Sequence, residues 1–477
     1  MALCFVDIQN ELGGKLLDVE KPSRYTGGEY GILSSRKTME ESTLRMAIAF
    51  PDLYEIGMSN QALRILYNGL NRVEGIACDR VFAPAPDFET LLEENAIPLY
   101  GLDSGLALEH LDILGVTLGY ELGITGFLSV LKSGRIPLRA SSRTEKDPLV
   151  IMGGPCVSNP LPYVPFVDAF WIGEAEAGFF ELCAALRDAK KSGKTRDALL
   201  CLLASHPSVW RKGKASAVRA VDWDFASRPD AVFPVSSMKT VQHHGAVEIM
   251  RGCPNGCRFC HAGIWYRPMR QKSLIKAQAD AGAFIRSGGY REISLSSLSS
   301  GDYRGIGELV SLLNRRYGKD HISFQLPSLR VSGFSLPILK DVSELRRSGL
   351  TFAVETPLDA WQLSVNKEVS LDSVSAILNE ARQQGFKGAK FYFMIGLPPA
   401  DLSAKGAGEC VSDEGVSEEE AIVDFVLEVF RRTGVHFSVN VGTFIPKPHT
   451  PYQWSPQLDA DSAAKKLAYI RDRLKPR

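Results

Sequence analysis

Cys253, Cys257 and Cys260 stand in the run Met250-Arg-Gly-Cys-Pro-Asn-Gly-Cys-Arg-Phe-Cys-His261, a C-x3-C-x2-C spacing. Three thiolates this close can ligate three irons of a [4Fe–4S] cube and leave the fourth iron open for chemistry. A structural zinc site suits the run less well. Zinc takes four ligands, usually in two C-x2-C-like halves, and only one half is present. His261 could complete a Cys3His set, but it directly follows Cys260 and is awkwardly placed to close the same tetrahedron. Gly252, Pro254 and Gly256 let a loop wrap closely around an inorganic core. Phe259, just before the third cysteine, offers a flat apolar face and a backbone that could meet an aromatic base.

The elements around this run must hold it at a strand end. From Val247 onward, short apolar runs alternate with amphipathic stretches. Strands are expected at Val247–Met250, Glu292–Leu295, Ile322–Leu326, Leu350–Glu355, Lys390–Ile395 and His436–Thr443. Helices are expected at Leu274–Ser287, Tyr303–Tyr317, Leu336–Arg347, Leu371–Gln384, Glu418–Arg432 and Ala460–Leu474. Six β/α units make a partial (β/α)6 TIM-type barrel, with the cysteines in the first βα loop at the carboxyl end of its strand. Residues 398–416, rich in Gly, Ser, Asp and Glu, read as a surface insertion.

A second alternating series precedes it. Strands are expected at Leu44–Phe50, Cys78–Ala83, Ile113–Leu118, Leu149–Met152 and Ala169–Ile172. Helices are expected at Asn60–Arg72, Asp87–Asn95, Leu122–Lys132 and Ala177–Lys190. Buried strands alternating with helices imply an α/β fold, a Rossmann-like open parallel sheet that binds ligands at its carboxyl edge. The reading divides the chain into an irregular arm (1–42), a Rossmann-like domain (43–205), a linker (206–243) and the barrel (244–477).

Composition excludes several classes. With 55 basic and 55 acidic residues the chain lacks the basic footprint of a general nucleic-acid binder, although a local basic groove for RNA stays open. The first residues, Met-Ala-Leu-Cys-Phe-Val-Asp, do not read as a signal peptide, and no apolar run reaches membrane-spanning length. Six of the nine cysteines (Cys4, Cys78, Cys156, Cys183, Cys201 and Cys410) are scattered, the usage of a reducing, cytoplasmic compartment. A second cluster built from Cys78, Cys156 and Cys183 or Cys201 is poorly supported by their spacing.

The cysteine loop resembles that of the radical SAM superfamily. The resemblance implies a [4Fe–4S] cluster on Cys253, Cys257 and Cys260, with S-adenosylmethionine (SAM) chelating the open iron. One electron then cleaves the sulfonium to methionine and a 5′-deoxyadenosyl radical, which abstracts hydrogen from a substrate. It also implies an electron donor such as flavodoxin or ferredoxin. The substrate, whether RNA, protein or small molecule, is not written in these residues, and no membrane partner is expected.

Further SAM contacts follow from the same resemblance. The run Ile293-Ser-Leu-Ser-Ser-Leu-Ser-Ser-Gly-Asp-Tyr303 ends the second strand, where Ser299, Ser300 and Asp302 would meet the methionine end of SAM. It departs from the common Gly-Gly-Glu form. Glu355 ends the fourth strand, where a carboxylate could accept from ribose hydroxyls. Gly396, in Met394-Ile-Gly-Leu-Pro398, would let the backbone approach the adenine. The stiff, proline-rich loop Thr443–Trp454 either presents Lys447 and His449 to substrate or is a turn burying Phe444 and Trp454.

Arg24–Glu29, Phe50–Asn60 and Gly153–Pro160 extend the resemblance to a branch with a cobalamin-binding-like domain ahead of the barrel. Members often continue beyond the barrel, whereas this sequence stops at Arg477. The cobalamin signature D-x-H-x-x-G is absent, since no histidine has Asp two residues before it. Base-off binding through imidazole is therefore not expected, and cobalamin held without a protein ligand stays open. The alternatives are a cobalamin-dependent radical SAM methyltransferase and a non-catalytic Fe–S or zinc module acting as a scaffold or sensor.

Overall fold

A computed structural model describes residues 3–327, 350–383, 385, 388–398 and 416–475. The helix expected at Leu336–Arg347 and nearly all of the insertion at 398–416 lie outside the described residues. The chain forms two compact units. The first comprises residues 1–224 and 229–243, the second residues 225–228 and 244–477.

In the first unit, six strands form one sheet: β1 (Leu44–Phe50), β2 (Ile76–Phe82), β3 (Ile113–Thr117), β4 (Leu149–Gly153), β5 (Ala169–Trp171) and β6 (Val209–Trp210). Their order is β2-β1-β3-β4-β5-β6. Every pairing is parallel except β5 with β6, where Phe170 faces Trp210. Alternate residues feed two cores. Ala47, Ala49, Leu114, Val116, Val150 and Met152 enter one face. Met46, Ile48, Ile113, Leu149 and Ile151 enter the other. Burial on both faces explains why these strands read as continuous apolar runs. Helices Gln61–Leu70, Pro86–Glu94, Ile124–Ser133 and Phe179–Lys191 stand within about two residues of expectation. Asn60 caps the first of them by accepting from the Ala62 N–H at 2.8 Å.

The Rossmann-like expectation therefore holds, with additions. Helix Arg196–Ser205 and edge strand β6 were not foreseen, because the strand is two residues long and the helix's apolar face is weakly marked. The stretch 1–42, expected to be irregular, contains short helices at Ile8–Leu12 and Arg36–Glu41. It is also fastened through Glu29, whose carboxylate lies 3.0 Å from fully buried Arg80 on β2. Arg80 pairs with Asp103 as well, and the Tyr67 hydroxyl donates to Asp103 at 2.7 Å. Burial and neighbouring carboxylates push the Asp103 carboxyl up to about 7, although Arg80 opposes this.

In the second unit the six expected strands form two parallel three-stranded sheets. One is β11-β10-β7, from β7 (Gly245–Glu248), β10 (Glu292–Ser296) and β11 (Ser323–Gln325). The other is β12-β13-β14, from β12 (Leu350–Glu355), β13 (Gly388–Ile395) and β14 (His436–Thr443). This is the strand set of a partial barrel whose β11–β12 connection lies outside the described residues. A short antiparallel hairpin, β8 (Met250–Arg251) with β9 (Arg270–Gln271), brackets the cysteine loop. Phe391, Phe393 and Ile395 of β13 share one core with Ile422, Val426 and Val429 of helix Glu418–Thr433, and the Phe391 and Phe393 rings meet Phe425 edge-on. Among the described residues, no helix is long and apolar enough to cross a membrane.

Candidate functional site

The cysteine loop begins where β8 ends. Gly252 has φ +83°, and a Cβ there would stand 2.5 Å from the Tyr266 carbonyl oxygen. Only glycine fits that turn, which sends the chain into Cys253. At the far end Cys260 caps helix His261–Trp265, its sulfur accepting from the Gly263 N–H at 3.3 Å. All three cysteines are partly exposed and none is in a disulfide.

Neighbouring strand ends hold the loop on two sides. Asn255, between the first two cysteines, directs Nδ2 to Asp302 Oδ2 at 2.7 Å, Ser299 Oγ at 3.4 Å and Cys253 Sγ at 3.5 Å. Ser299 also donates to Asp302 at 2.7 Å. The carboxyl end of β10 is thus tied to the cysteines through Ser299 and Asp302. Ser300 differs from expectation. It is fully buried, with its hydroxyl on the Leu295 carbonyl at 3.2 Å, so it closes its own turn instead of facing the loop. On the other side, the Arg258 N–H donates to the Val365 carbonyl at 3.0 Å. Phe259, like Met394, packs against the cluster of Val365, Leu397, Phe444 and Tyr452.

Glu355 ends β12 at a register shift, with φ +67°. A non-glycine residue in that region is strained, and such strain is concentrated at functional sites. Its carboxylate is held by Lys367 at 2.7 Å, and the same ammonium lies 5.9 Å from the centre of the Phe259 ring. Glu355 and Phe259 therefore share a neighbour. Lys367 was not anticipated, since nothing in the spacing between positions 355 and 367 marks the pair.

Gly396 is conformationally special in the expected way, with φ +75°. Its N–H, however, is occupied by the buried carboxylate of Glu418, at 3.0 and 2.9 Å to the two oxygens. Burial pushes the Glu418 carboxyl up, opposed by this N–H and by Lys466 at 3.1 Å. The loop after β14 buries Phe444, 1% exposed, while Trp454 is 89% exposed. Tyr452 takes the inner place expected of Trp454, its hydroxyl donating to the Ser364 carbonyl at 2.7 Å.

Which metal group suits these donors is a matter of chemistry. Among the described residues no three His, Cys, Asp or Glu side chains converge on one metal position. A cube takes one thiolate per iron, and three cysteines on one loop, with the Asn255 amide beside Cys253 Sγ, supply three such donors. In the first unit, Cys78 and Cys183 are buried in the core, and burial pushes both thiols up. They are core residues and not a second ligand set.

An open α/β sheet followed by a partial barrel, with a three-cysteine loop after the first barrel strand, defines a class of cluster-bearing barrel protein. Two family models match the chain: "Radical SAM proteins, N-terminal" over residues 62–210 and "Radical SAM superfamily" over residues 247–403. The chain belongs to the radical SAM superfamily. It is 24% identical over 431 residues to an uncharacterized protein of Methanocaldococcus jannaschii, covering 90% of this chain and 83% of that one. Its fold is similar to that of the radical S-adenosylmethionine methyltransferase TsrM of Kitasatospora setae. The TM-score is 0.57 at 13% identity, over 86% of this chain and 74% of TsrM. It is also similar to the cobalamin-dependent S-adenosylmethionine radical enzyme OxsB. There the TM-score is 0.53 at 13% identity, over 91% of this chain but only 62% of OxsB.

Proposed function

We propose that Cys253, Cys257 and Cys260 hold a [4Fe–4S] cluster and that the chain is a SAM-cleaving enzyme. When bound, that cluster supplies the electron that splits SAM into methionine and a 5′-deoxyadenosyl radical. The observation carrying the reading is the three-thiol loop that follows the first barrel strand, within the matched superfamily region. This chain's residues position and shield. Asn255 and Asp302 fix the loop, Phe259 anchors it on an apolar cluster, and Glu355, oriented by Lys367, offers its carboxylate to ribose hydroxyls. The Gly396 turn brings backbone close to the site, although its N–H is already satisfied by Glu418. Anaerobic reconstitution with iron and sulfide, then dithionite with SAM, should give 5′-deoxyadenosine. Cys257→Ala should abolish it. Zinc without labile sulfide in the purified protein would overturn the reading.

A second reading, a cobalamin-dependent methyltransferase, is favoured by the fold shared with TsrM and OxsB. The first unit fits it only partly. Gly119, two residues past β3, is exposed, and no atom stands within 4 Å of where its Cβ would be. His206, however, has its Nδ1 on the Ser208 N–H at 3.1 Å and its ring against Trp171, so it is fixed by its own fold. The visible spectrum of protein purified from cobalamin-fed cells decides between the readings.

A further inference from the structure

Beside the cysteine loop, three aromatic rings from two segments share an orientation. His261 and Trp265, one turn apart on the helix that Cys260 caps, have ring centres 5.8 Å apart and planes 22° apart. His449, from the loop after β14, stands 6.4 Å from His261 and 6.3 Å from Trp265, with planes within 27° and 28°. Three centres each about 6 Å from the others cannot form one stacked column, whose end rings would be twice as far apart. The rings therefore lie side by side or offset, with nearly parallel faces.

His449 is held there at a cost. Its φ is +64°, a left-handed conformation that a side chain with a Cβ disfavours. The loop enforces it. The His449 N–H donates to Gln453 Oε1 at 3.1 Å, Thr450 Oγ1 donates to the Lys447 carbonyl at 2.7 Å, and Phe444 and Tyr452 anchor the inner side. His449 itself is exposed, and Trp265 is partly so.

We propose that the His261–Trp265–His449 face receives a planar heteroaromatic ring of the substrate, by stacking, next to the cysteine loop. The inference rests on the SAM-cleaving reading and adds the substrate class to it. A ring laid on these faces gains dispersion and quadrupole attraction that an aliphatic group of similar size does not.

The test is equilibrium dialysis of the reconstituted full chain, with the cluster oxidised and SAM saturating, so that no probe is counted at the SAM site. Guanosine and tryptophan represent the two sources of such a ring, a nucleobase and an indole, and leucine and ribose are the ring-free controls. At least one ring probe should bind measurably more tightly than both controls. Trp265→Ala and His449→Gly should each weaken it roughly ten-fold, while Trp265→Phe retains most of the affinity. Glycine suits the φ at 449, so His449→Gly removes the ring without backbone cost even if Trp265→Ala folds poorly. Trp454→Ala, far out in solvent, should change nothing. Equal affinity for ring and ring-free probes, or an unchanged ring affinity in His449→Gly, would overturn the proposal. Formation of 5′-deoxyadenosine by the wild-type chain reports separately on the SAM-cleaving reading.

Discussion

Asn255 and Asp302 are joined at 2.7 Å, and through this contact the end of β10 reaches the Cys253 sulfur. On the proposed reading Cys253 is a ligand, and an N–H beside its thiolate would stabilise the charge and fix the loop before iron arrives. Asp302→Ala and Asn255→Ala should therefore lower cluster affinity by roughly 10- to 100-fold. Iron and labile sulfide retained after challenge with a chelator measures this. Both variants should keep the wild-type far-ultraviolet circular dichroism, because the contact belongs to a loop.

Lys367 and Glu355 form an ion pair that is mostly shielded from water. Removing one partner of such a pair leaves the other uncompensated, at about 3 kcal/mol. Lys367→Met should lower the melting temperature and weaken SAM binding together. Glu355→Gly should separate the two effects. It relieves the strain at φ +67° but removes the carboxylate, so stability should suffer less than SAM affinity. Isothermal titration with SAM on each reconstituted variant, beside thermal melts, distinguishes the outcomes.

Much of this arrangement was legible beforehand. Strands Leu44–Phe50, Leu350–Glu355 and His436–Thr443 and helix Ala460–Leu474 stand where expected, because long apolar periodicity overrides local ambiguity. The cysteine spacing and the special backbone at Gly396 were also readable. What escaped depends on pairs distant in sequence or on a single step of turn geometry. Ser299 rather than Ser300 faces the loop because the chain turns between them. Tyr452 rather than Trp454 goes inside because the anchoring hydroxyl meets Ser364. Glu418, which occupies the Gly396 N–H, is separated from it by a stretch without periodic pattern. No local pattern encodes such partners.

The buried charges of the first unit make its stability depend on pH. Asp103 ionises near 7 in the folded chain but near 4 when unfolded. Between those values the folded state binds more protons, so this group's contribution to stability falls as pH rises from about 4 to 7. Glu55 acts oppositely. Hydrogen bonds from Arg24 and Lys21 outweigh its burial and hold it at about 2, so its contribution is present above about 4.5 and is lost as pH falls through 2. Asp103→Asn should flatten the pH 4–7 slope of the melting temperature. Arg80→Met leaves Glu29 and Asp103 without their cation and should cost roughly 3–5 kcal/mol at pH 7.5. The loss should be smaller at pH 5, where Asp103 takes up a proton. A loss independent of pH would show that packing, and not charge, dominates at Arg80.

Gly396 is constrained twice, and the two constraints can be measured apart. A Cβ there would stand 2.5 Å from Leu458 Cδ1, and φ +75° disfavours any side chain. Gly396→Ala should therefore destabilise the second unit by about 1–2 kcal/mol for the backbone alone, plus the clash. Leu458→Ala makes room but opens a cavity in the core that contains Leu458. The double variant should be less destabilised than the sum of the singles, because the clash vanishes while the backbone penalty remains. Urea melts of all four chains give the coupling directly. Strict additivity would mean that Leu458 moves aside freely, leaving the left-handed backbone as the whole reason for glycine at this strand end.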